Sequence, residues 1–308
     1  MSRAIIVTGA TGKQGGSTID ALLQANADFE ILALTRNPSS ASAQKLLKKS
    51  PRIKLISGNM EAPEEFFKQA RKVTQSQIWG VFSVQLAIGD GQNSISEERQ
   101  GKAVIDAALA NNVKHFVYSS VDRGGPTVSP QTATKVPHFI SKHHIEQHLF
   151  AKAKGSDMTY TVLRPVAFFD NLDKTFFGKG FTTAYAVYLT SGKKLQLIAS
   201  SDIGYFASKS FLNPEADEWR NASLSLAGDE LSFVEFKDIF ERTTGEKLPM
   251  TFHFIARILC YFVKELGEMY KWFASDGFGA DIGELRKINP GLKGLAAWIE
   301  KDSAWKKE

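Results

Sequence analysis

The chain has 308 residues, of which 43% are hydrophobic and 23% are charged. This length and composition exclude an intrinsically disordered protein and are sufficient for a folded core with one large or two modest domains. Acidic and basic residues are interspersed and give a net charge of +5, so the sequence lacks the basic block that direct nucleic-acid binding requires. No apolar run reaches the roughly 20 residues of a membrane span, and no signal peptide precedes the first apolar segment. We therefore predict a cytoplasmic protein, with the nucleus as a second compartment, and no membrane or direct nucleic-acid partner.

Short apolar segments alternate with helical segments through the first half of the chain. The predicted strands cover residues 4–8, 30–35, 53–57, 78–84, 115–119 and 160–163. The predicted helices cover residues 14–24, 41–49, 63–73, 97–111 and 142–152. Because the strands are apolar throughout rather than at alternate positions, both faces of the sheet must be covered, as in a parallel sheet. The repeated strand–helix units predict an α/β fold with a doubly wound parallel sheet of the Rossmann type.

The pattern changes after Pro165. Residues 168–188 are rich in aromatic side chains, and a short apolar stretch at 223–226 is a candidate strand that returns to the sheet. Helices are predicted over 202–210, 233–244 and 254–273. We therefore predict a sheet domain over 1–165 and a smaller C-terminal lobe over 166–308.

The segment after the first predicted strand is rich in glycine and leads into the first helix. It reads Gly9, Ala10, Thr11, Gly12, Lys13, Gln14 and Gly15. In this position Gly9 permits a tight turn, Gly12 permits close approach of a pyrophosphate, and Gly15 permits close packing of helix on strand. The amides at the start of the helix then face the phosphates. The motif predicts that the domain over 1–165 binds a dinucleotide.

The end of the second predicted strand distinguishes between the nicotinamide dinucleotides. It reads Leu34, Thr35, Arg36 and Asn37, with no acidic residue to accept the ribose 2′-hydroxyl of NAD(H). An arginine here can bind a 2′-phosphate through paired hydrogen bonds. Arg36 therefore predicts NADP(H), and a solvated arginine at a loop end is the alternative.

The ends of the third and fourth predicted strands provide further candidate contacts. Asn59 can hydrogen-bond the edge of an adenine, and Met60 can cover its face. Val84, Gln85 and Leu86 follow the fourth strand and are expected along the pyrophosphate and ribose. For Asn59 and Gln85 an ordinary loop role is the alternative.

Several motifs along nearly the whole chain resemble those of the NmrA-like family of atypical short-chain dehydrogenase/reductases. Besides the glycine motif and Arg36, they are Arg99–Lys102, Pro137–Lys142, Phe168–Leu172, Asp202–Gly204 and Asn289–Leu292. The resemblance implies a Rossmann-type domain, a smaller C-terminal lobe and NADP(H) as cofactor. The cofactor-binding positions that it implies are Gly9, Ala10, Thr11, Gly12, Lys13, Gln14, Arg36, Asn59, Met60, Val84, Gln85, Leu86, Arg99, Lys142, Phe168, Phe169, Asp170 and Asn171.

One departure from the pattern of ordinary short-chain dehydrogenases affects catalysis. Those enzymes place a proton-donating tyrosine four residues before a lysine, whereas here His138 precedes Lys142. Lys142 is therefore the candidate catalytic residue, and Ser119 or Ser120 can occupy the usual serine position. Imidazole is a competent general acid, but a histidine with a purely structural role at the start of a helix is the preferred interpretation of His138.

A cluster of histidines does not predict a metal site. His144 and His148 share a helical face, and Glu146 stands between them. Zinc proteases require the glutamate directly after the first histidine, and no third ligand is evident. We expect no metal.

Two functions follow from these features. The first is an NADP(H)-dependent oxidoreductase acting on a small apolar carbonyl or conjugated substrate, because the C-terminal lobe supplies aromatic side chains for a pocket. These side chains are Phe176, Phe177, Phe181, Tyr185 and Tyr188. The second is a non-catalytic redox sensor that binds NADP(H) and acts on transcription through a regulatory protein partner; His138 in place of tyrosine favours it. We expect the oxidoreductase.

Overall fold

The computed structural model describes residues 2–87, 91–190 and 192–306. The strands in these residues are β1 (Arg3–Val7), β2 (Phe29–Thr35), β3 (Ile53–Ser57), β4 (Gln77–Ser83), β5 (His115–Ser119), β6 (Thr159–Pro165), β7 (Ala167–Phe168), β8 (Lys194–Ile198), β9 (Ala222–Leu226) and β10 (Asp229–Ser232). The α-helices are α1 (Lys13–Gln24), α2 (Ala41–Leu47), α3 (Pro63–Val73), α4 (Ser94–Ala110), α5 (Gly125–Val128), α6 (Pro137–Ala153), α7 (Phe176–Tyr188), α8 (Ser200–Leu212), α9 (Phe233–Thr244), α10 (His253–Phe262), α11 (Lys264–Ser275), α12 (Ile282–Ile288) and α13 (Leu295–Lys301).

The larger sheet has the strand order β3-β2-β1-β4-β5-β6-β9. The neighbouring strands from β3 to β6 all pair in parallel. The order reverses between β1 and β4, which is the point at which a doubly wound sheet binds its ligand. The predicted α/β fold with a Rossmann-type doubly wound sheet is confirmed.

Strand β1 shows why continuous apolarity predicted this sheet. Ala4, Ile5, Ile6 and Val7 are all fully buried. Because consecutive side chains of a strand point to opposite faces, four buried residues in a row require a covering layer on each face. Both faces of the sheet are therefore covered at β1.

The chain divides into two compact units, and each unit is assembled from three separated segments. The first unit contains the part up to Ser120, together with Ser141–Leu163 and Ile203–Leu224. The second contains Val121–Ile140, Arg164–Asp202 and the part from Ser225 onward. The sequence predicts a single division, at residue 165. The segments interleave because most of α8 and most of β9, which is the last strand of the larger sheet, belong to the first unit.

The second unit contains a small sheet that the sequence did not predict. Its order is β10-β8-β7, with β10 antiparallel and β7 parallel to β8. Strand β8 was missed because the polar Gln196 interrupts its apolar run. The Gln196 side chain is buried, and it exchanges two hydrogen bonds with the backbone of Ala280, at 2.9 and 3.0 Å.

The stretch 254–273, predicted as helical, consists of two helices. Val263, with φ −95° and ψ 85°, separates α10 from α11. The two helices pack closely, since a Cβ added at Gly267 would lie 2.2 Å from the carbonyl oxygen of Cys260.

Within the described residues, no helix combines the length and apolar character that a membrane span needs.

The aromatic side chains predicted to line a substrate pocket separate into two groups. Tyr185 is a core residue: it is fully buried and donates a hydrogen bond to the carbonyl oxygen of Leu231. Burial raises the pKa of its hydroxyl above the usual range. Phe181 and Tyr188 are partly buried, and the side chains of Phe176 and Phe177 are 54% and 77% exposed. The prediction that Tyr185 lines a pocket is therefore wrong, because its ring packs among Phe233 and Phe236 instead.

His115 in β5 is a buried, neutral histidine of the first unit. Its Nδ1 lies 2.8 Å from the hydroxyl of Thr159, and its Nε2 lies 2.7 Å from the hydroxyl of Ser210. Burial lowers the pKa of the imidazole to about 3. An unfolded histidine has a pKa of about 6.5, so between these values the unfolded chain binds the proton and the folded chain does not.

We expect this histidine to make the fold sensitive to acid. As the pH falls below about 6.5, His115 should remove about 1.4 kcal/mol from the free energy of unfolding for each pH unit. The His115→Asn variant should lack this contribution, so its stability relative to the wild type should rise as the pH falls from 6.5 towards 5. Urea denaturation of both proteins across this pH range measures the difference. A difference that does not change with pH would contradict the assignment of a neutral histidine.

Candidate functional site

The turn after β1 has the conformation that its glycines predicted. Gly9 has a φ of +57°, in the left-handed region that glycine adopts without strain. The amide of Gly12 donates to the carbonyl oxygen of Gly9 at 2.8 Å and closes the turn. A Cβ added at Gly15 would lie 2.4 Å from that same oxygen, so only glycine allows α1 to begin this close to β1.

The first turn of α1 offers backbone amides to an anion. Gly12 occupies the capping position, no side chain caps the helix, and its first turn contains no acidic residue. Ala10 is buried, whereas Thr11, Gly12 and Lys13 are exposed. Since uncapped amides and the helix dipole stabilise negative charge, this end of α1 fits the diphosphate of a dinucleotide.

The end of β4 is held beside the glycine turn by Thr8. The buried hydroxyl of Thr8 donates to the carbonyl oxygen of Val84 at 3.0 Å and accepts from its amide at 2.8 Å. Gln85 is buried, and its Nε2 donates to Ser83 at 2.8 Å. Its Oε1 has no hydrogen-bond partner among the described residues, so a donor from a ligand would satisfy it. Leu86 is 46% exposed.

The ends of β2 and β3 meet at the same edge. The amide of Gly58 donates to the carbonyl oxygen of Thr35 at 3.1 Å, and Arg36 follows as an exposed residue. The side chain of Asn59 accepts from the amide of Glu61 at 2.5 Å, so its oxygen already shapes the local turn. The sulfur of Met60 lies 3.8 Å from Nε2 of Gln85. The structure therefore brings the predicted residues after β1 to β4 together in the first unit.

Arg99 binds a carboxylate of the protein itself. Its guanidinium donates two hydrogen bonds to Glu61, at 2.8 and 2.9 Å, and Gln100 donates a third. These hydrogen bonds, that of Arg99 first, lower the pKa of the Glu61 carboxyl. A cofactor contact from Arg99 stays a prediction, since its guanidinium is engaged at Glu61 here.

Lys142 forms a buried ion pair with Glu97. Its Nζ lies 2.9 Å from Oε1 of Glu97, and it also donates to the carbonyl oxygen of Ser119, at the end of β5, at 3.4 Å. The Glu97 side chain is fully buried, and that of Lys142 is only 12% exposed. The hydroxyl of Ser141 donates to the other oxygen of Glu97. The ammonium is therefore fixed beside the carboxyl end of β5.

The two serines at the end of β5 are both engaged. Ser119 donates to the side-chain oxygen of Gln14, which ties β5 to the first turn of α1. Ser120 donates to the buried carboxylate of Glu146, one turn beyond Lys142 on α6. Gln14 thus connects the glycine turn to the strand end that Lys142 contacts.

His138 pairs with a carboxylate of the second unit. Its Nδ1 lies 3.5 Å from Oε1 of Glu265, and the two side chains are only 13% and 18% exposed. Its ring also packs edge-on against Phe139, with the centroids 4.7 Å apart. These contacts agree with the structural role preferred from the sequence.

The predicted residues Phe168 to Asn171 lie in the second unit. Phe169 is fully buried and stacks on Trp298, with ring centroids 5.7 Å apart. Asp170 accepts hydrogen bonds from the amide and the hydroxyl of Ser200, at 2.9 and 2.6 Å, at the start of α8. Phe168 pairs with β8 and Asn171 is exposed. Phe169 and Asp170 therefore have structural contacts, and a cofactor role for this segment stays a prediction.

The histidine cluster on α6 pairs with acids of α4. His144 lies 2.8 Å from Glu98, and His148 lies 2.8 Å from Asp106. Within the described ranges, no group of three or more potential ligands could hold a metal ion.

A model of the NmrA-like family matches residues 1–294 of this chain. The chain belongs to the NmrA-like family. One relative, the NmrA-like family domain-containing oxidoreductase himF of Aspergillus japonicus, is 31% identical over 262 residues, which cover 79% of this chain and 73% of that protein. The family resemblance inferred from the sequence motifs is thus confirmed.

Solved structures share the fold of this NmrA-like protein. The Citrobacter sp. triphenylmethane reductase complexed with NADP(H) superposes with a TM-score of 0.71 at 17% identity, over 98% of this chain and 99% of that one. NmrA, a negative transcriptional regulator in complex with NAD, superposes with a TM-score of 0.67 at 15% identity, over 98% and 96% of the two chains. At these identities the likeness establishes the architecture.

Three residues position the site of this NmrA-like chain in a role that the sequence did not predict for them: Thr8, Glu97 and Glu146. The role of Glu97 could have been predicted from the sequence, because Glu97 lies one helical turn before Gly101 on the buried face of α4. Helix α6 packs closely against α4 at Gly101, because a Cβ added at Gly101 would lie 2.5 Å from the side chain of Ile145. A carboxylate on a buried helical stripe requires a partner, which here is Lys142.

Adjacent glycines of α1 provide a test of the turn. We expect Gly15→Ala to lower the free energy of unfolding by about 1–3 kcal/mol, because its Cβ would clash with the backbone of Gly9. Gly16→Ala is the matched control: its Cβ would lie 3.5 Å from the nearest atom, so stability should stay or rise by up to about 1 kcal/mol. Urea denaturation compares the two. Equal effects at the two positions would contradict the close contact between α1 and β1.

Proposed function

We propose that this NmrA-like protein is an NADP(H)-dependent oxidoreductase that reduces a small apolar carbonyl or conjugated substrate. The observation that carries the proposal is the buried ammonium of Lys142 at the carboxyl edge of the sheet that also bears the glycine turn. That edge is where open α/β sheets place their ligands. The name of the relative himF, which is an oxidoreductase, supports the same class of reaction.

The first unit holds the cofactor through complementary charges. The amides at the start of α1 bind the diphosphate, and the guanidinium of Arg36 binds the 2′-phosphate. The side-chain oxygen Oε1 of Gln85 accepts a hydrogen bond from the cofactor, which the described residues around it do not supply. Since no acid ends β2, nothing there repels a 2′-phosphate, and the cofactor is NADP(H) rather than NAD(H).

NADPH, when bound, supplies the hydride. The protein has to stabilise the negative charge that develops on the substrate oxygen, and the Lys142 ammonium is the group that does so. Glu97 and Ser119 fix Nζ by contacts at 2.9 and 3.4 Å, so the ammonium is oriented before the substrate arrives. Solvent supplies the proton that completes the product.

The aromatic character of the second unit supports an apolar substrate. Phe176 and Phe177 begin α7 with their side chains 54% and 77% exposed. Large exposed aromatic side chains that stand together favour ligand or partner binding over a role in the core.

A second candidate function is a redox sensor that binds NADP(H) without turnover and signals through a protein partner. The contact of His138 with Glu265 favours it, because a histidine held in this pair replaces the tyrosine that ordinary short-chain dehydrogenases use as the proton donor. The sensor and the oxidoreductase share one cofactor site and differ only in whether NADPH is consumed.

Cofactor selectivity tests the role of Arg36. Arg36→Ala should weaken NADPH binding by at least about tenfold, because a charge-assisted contact of about 1.5–3 kcal/mol is lost. NADH binding should hardly change. Calorimetric titration of both cofactors against both proteins measures this. Arg52→Ala, outside the proposed site, is the control and should affect neither cofactor; equal losses for both cofactors in Arg36→Ala would refute the assignment.

Turnover tests the role of Lys142. Replacing the lysine alone would leave Glu97 buried without its counter-charge, so the informative protein is the double variant Lys142→Met with Glu97→Gln. It should consume NADPH about 100-fold more slowly or slower still, the scale seen when one stabilising donor is removed. Absorbance of NADPH over a panel of ketones, aldehydes and enones follows the reaction.

The partly exposed pair on α4, Lys102 with Glu98, provides the matched control. Lys102→Met with Glu98→Gln removes the same two groups outside the proposed site and should keep the wild-type rate. Equal rates in the wild type and the Lys142 double variant would refute the catalytic lysine. NADPH that binds the wild type but is not consumed with any substrate would favour the sensor.

A further inference from the structure

Helix α10 presents apolar side chains on two opposite faces. Ala256 and Cys260 are buried, and they pack into the core of the second unit. The opposite face carries Phe254, Ile258, Tyr261 and Phe262, at helical spacings of four, three and one residues. We call these four residues the α10 outer face. They are 59%, 52%, 81% and 78% exposed.

The α10 outer face is a continuous patch rather than scattered apolar residues. Tyr261 and Phe262 contact each other edge to face, with ring centroids 5.3 Å apart. Phe252, which is 70% exposed, extends the patch by stacking on Phe254 at 5.7 Å. Contiguous exposed apolar surface of this kind marks a contact with a partner or a lipid surface.

Helix α10 itself carries basic residues and no acid. From Met250 to Lys264 the sequence contains no Asp or Glu, whereas His253, Arg257 and Lys264 are basic; the next acid is Glu265. Arg257 and Lys264 are both exposed. An aromatic helical face on a helix with basic and no acidic residues is complementary to an anionic surface.

A cleft beside the α10 outer face concentrates these cations. It has a volume of about 550 Å³, and the side chains that line it include Tyr188, Arg257, Tyr261, Lys264, Glu268 and Lys271. Glu268 accepts a hydrogen bond from Lys271 at 2.9 Å, so this acid and this base compensate each other. The hydrogen bond from Lys271 lowers the pKa of the Glu268 carboxyl, and the charge of Lys264 also helps to lower it. Three basic residues, Arg257, Lys264 and Lys271, thus line the cleft with one acid, Glu268, and leave it an excess of positive charge.

The walls of the cleft are fixed by close packing. Gly267 on α11 approaches the carbonyl oxygen of Cys260 on α10 so closely that a Cβ would lie 2.2 Å from it. Arg257 on α10 and Lys264 at the start of α11 line the same cleft beside Tyr261, on two helices that this contact joins. A preformed cationic cleft requires little reorganisation when an anion binds.

We propose that the α10 outer face and the adjoining cleft bind the surface of an anionic phospholipid membrane. The aromatic side chains enter the boundary between headgroups and acyl chains, and Arg257 and Lys264 bind a lipid phosphate or carboxylate. Aromatic rings are favoured at that depth because one end is apolar and the other polar. The helix lies on the membrane and does not cross it, and no spanning helix is found among the described residues. The proposal therefore departs from the expectation of no membrane partner, which rested on the lack of a spanning segment.

The charges disfavour a second copy of the chain as the occupant. A symmetric dimer through this face would bring the same patch of both copies together. Arg257 and Lys264 of one copy would then meet those of the other, and the positive charges that line each cleft outnumber its acid, Glu268. An anionic lipid surface supplies the missing negative charge.

Vesicle co-sedimentation of the full chain tests the proposal. We expect binding to vesicles of phosphatidylcholine with phosphatidylserine, and much weaker binding to phosphatidylcholine alone. The double variant Tyr261→Ser with Phe262→Ser should lose at least about tenfold in affinity, because two apolar anchors are removed. Arg257→Gln with Lys264→Gln should lose about fivefold for each cation, and salt should weaken wild-type binding.

Exposed residues of α9 provide matched controls, since Val234 is a 65% exposed apolar residue and Lys237 an exposed cation. Val234→Ser and Lys237→Gln should bind vesicles as the wild type does, and all variants should keep the wild-type melting temperature because the changed side chains are exposed. Three outcomes would overturn the proposal. They are no binding to the anionic vesicles, equal binding to both kinds of vesicle, and a dimer in gel filtration that the Tyr261 and Phe262 changes dissociate.

Discussion

The fold depends on a contact that only glycine permits, the approach of Gly15 to the carbonyl oxygen of Gly9. Without a side chain at Gly15, α1 packs closely on the turn after β1, and its first turn lies at the carboxyl end of that strand. Thr8 then fixes the end of β4 beside this turn, and Gln14 fixes the end of β5. The candidate site is therefore formed by close backbone packing at the end of β1. Hydrogen bonds from Thr8 and Gln14 then hold the ends of β4 and β5 beside it.

Buried charge in this protein has two different uses. In the second unit the buried carboxylate of Asp122 accepts hydrogen bonds from the amides of Gly124, Gly125 and Gly279 and from two serine hydroxyls, which satisfies it with neutral donors. In the first unit Glu97 faces the ammonium of Lys142 instead. A buried ion pair contributes little net stability compared with an apolar replacement. The pair of Lys142 and Glu97 has a free-energy cost of desolvation and lies at the edge of the sheet where such folds bind ligands. A role in the proposed reaction explains this pair better than a contribution to stability does.

Helix α10 links the proposed reaction to the proposed membrane contact. A reductase of small apolar substrates acts on molecules that partition into lipid, and an enzyme on the bilayer surface meets them at higher concentration. The same helix that packs its inner face into the core of the second unit presents aromatic side chains outward. Its buried face therefore consists of small residues, Ala256 and Cys260, and its exposed face carries the aromatic residues Phe254, Tyr261 and Phe262.

The sequence by itself determined the parallel sheet, the glycine turn after β1 and the position of Arg36 at the end of β2, because each of these depends on a local sequence pattern. Strands such as Ile53–Ser57 and His115–Ser119 were predicted at their observed limits, since continuous apolarity reports burial on both faces. Only the tertiary structure decided that Arg99 binds Glu61, that Lys142 binds Glu97, that Tyr185 is a core residue and that α10 ends at Phe262. The ion pairs join residues about 40 positions apart, and the core position of Tyr185 depends on which distant segments pack against it. Local periodicity shows that a residue is buried, but its partner is chosen by the packing of elements that are remote in the chain.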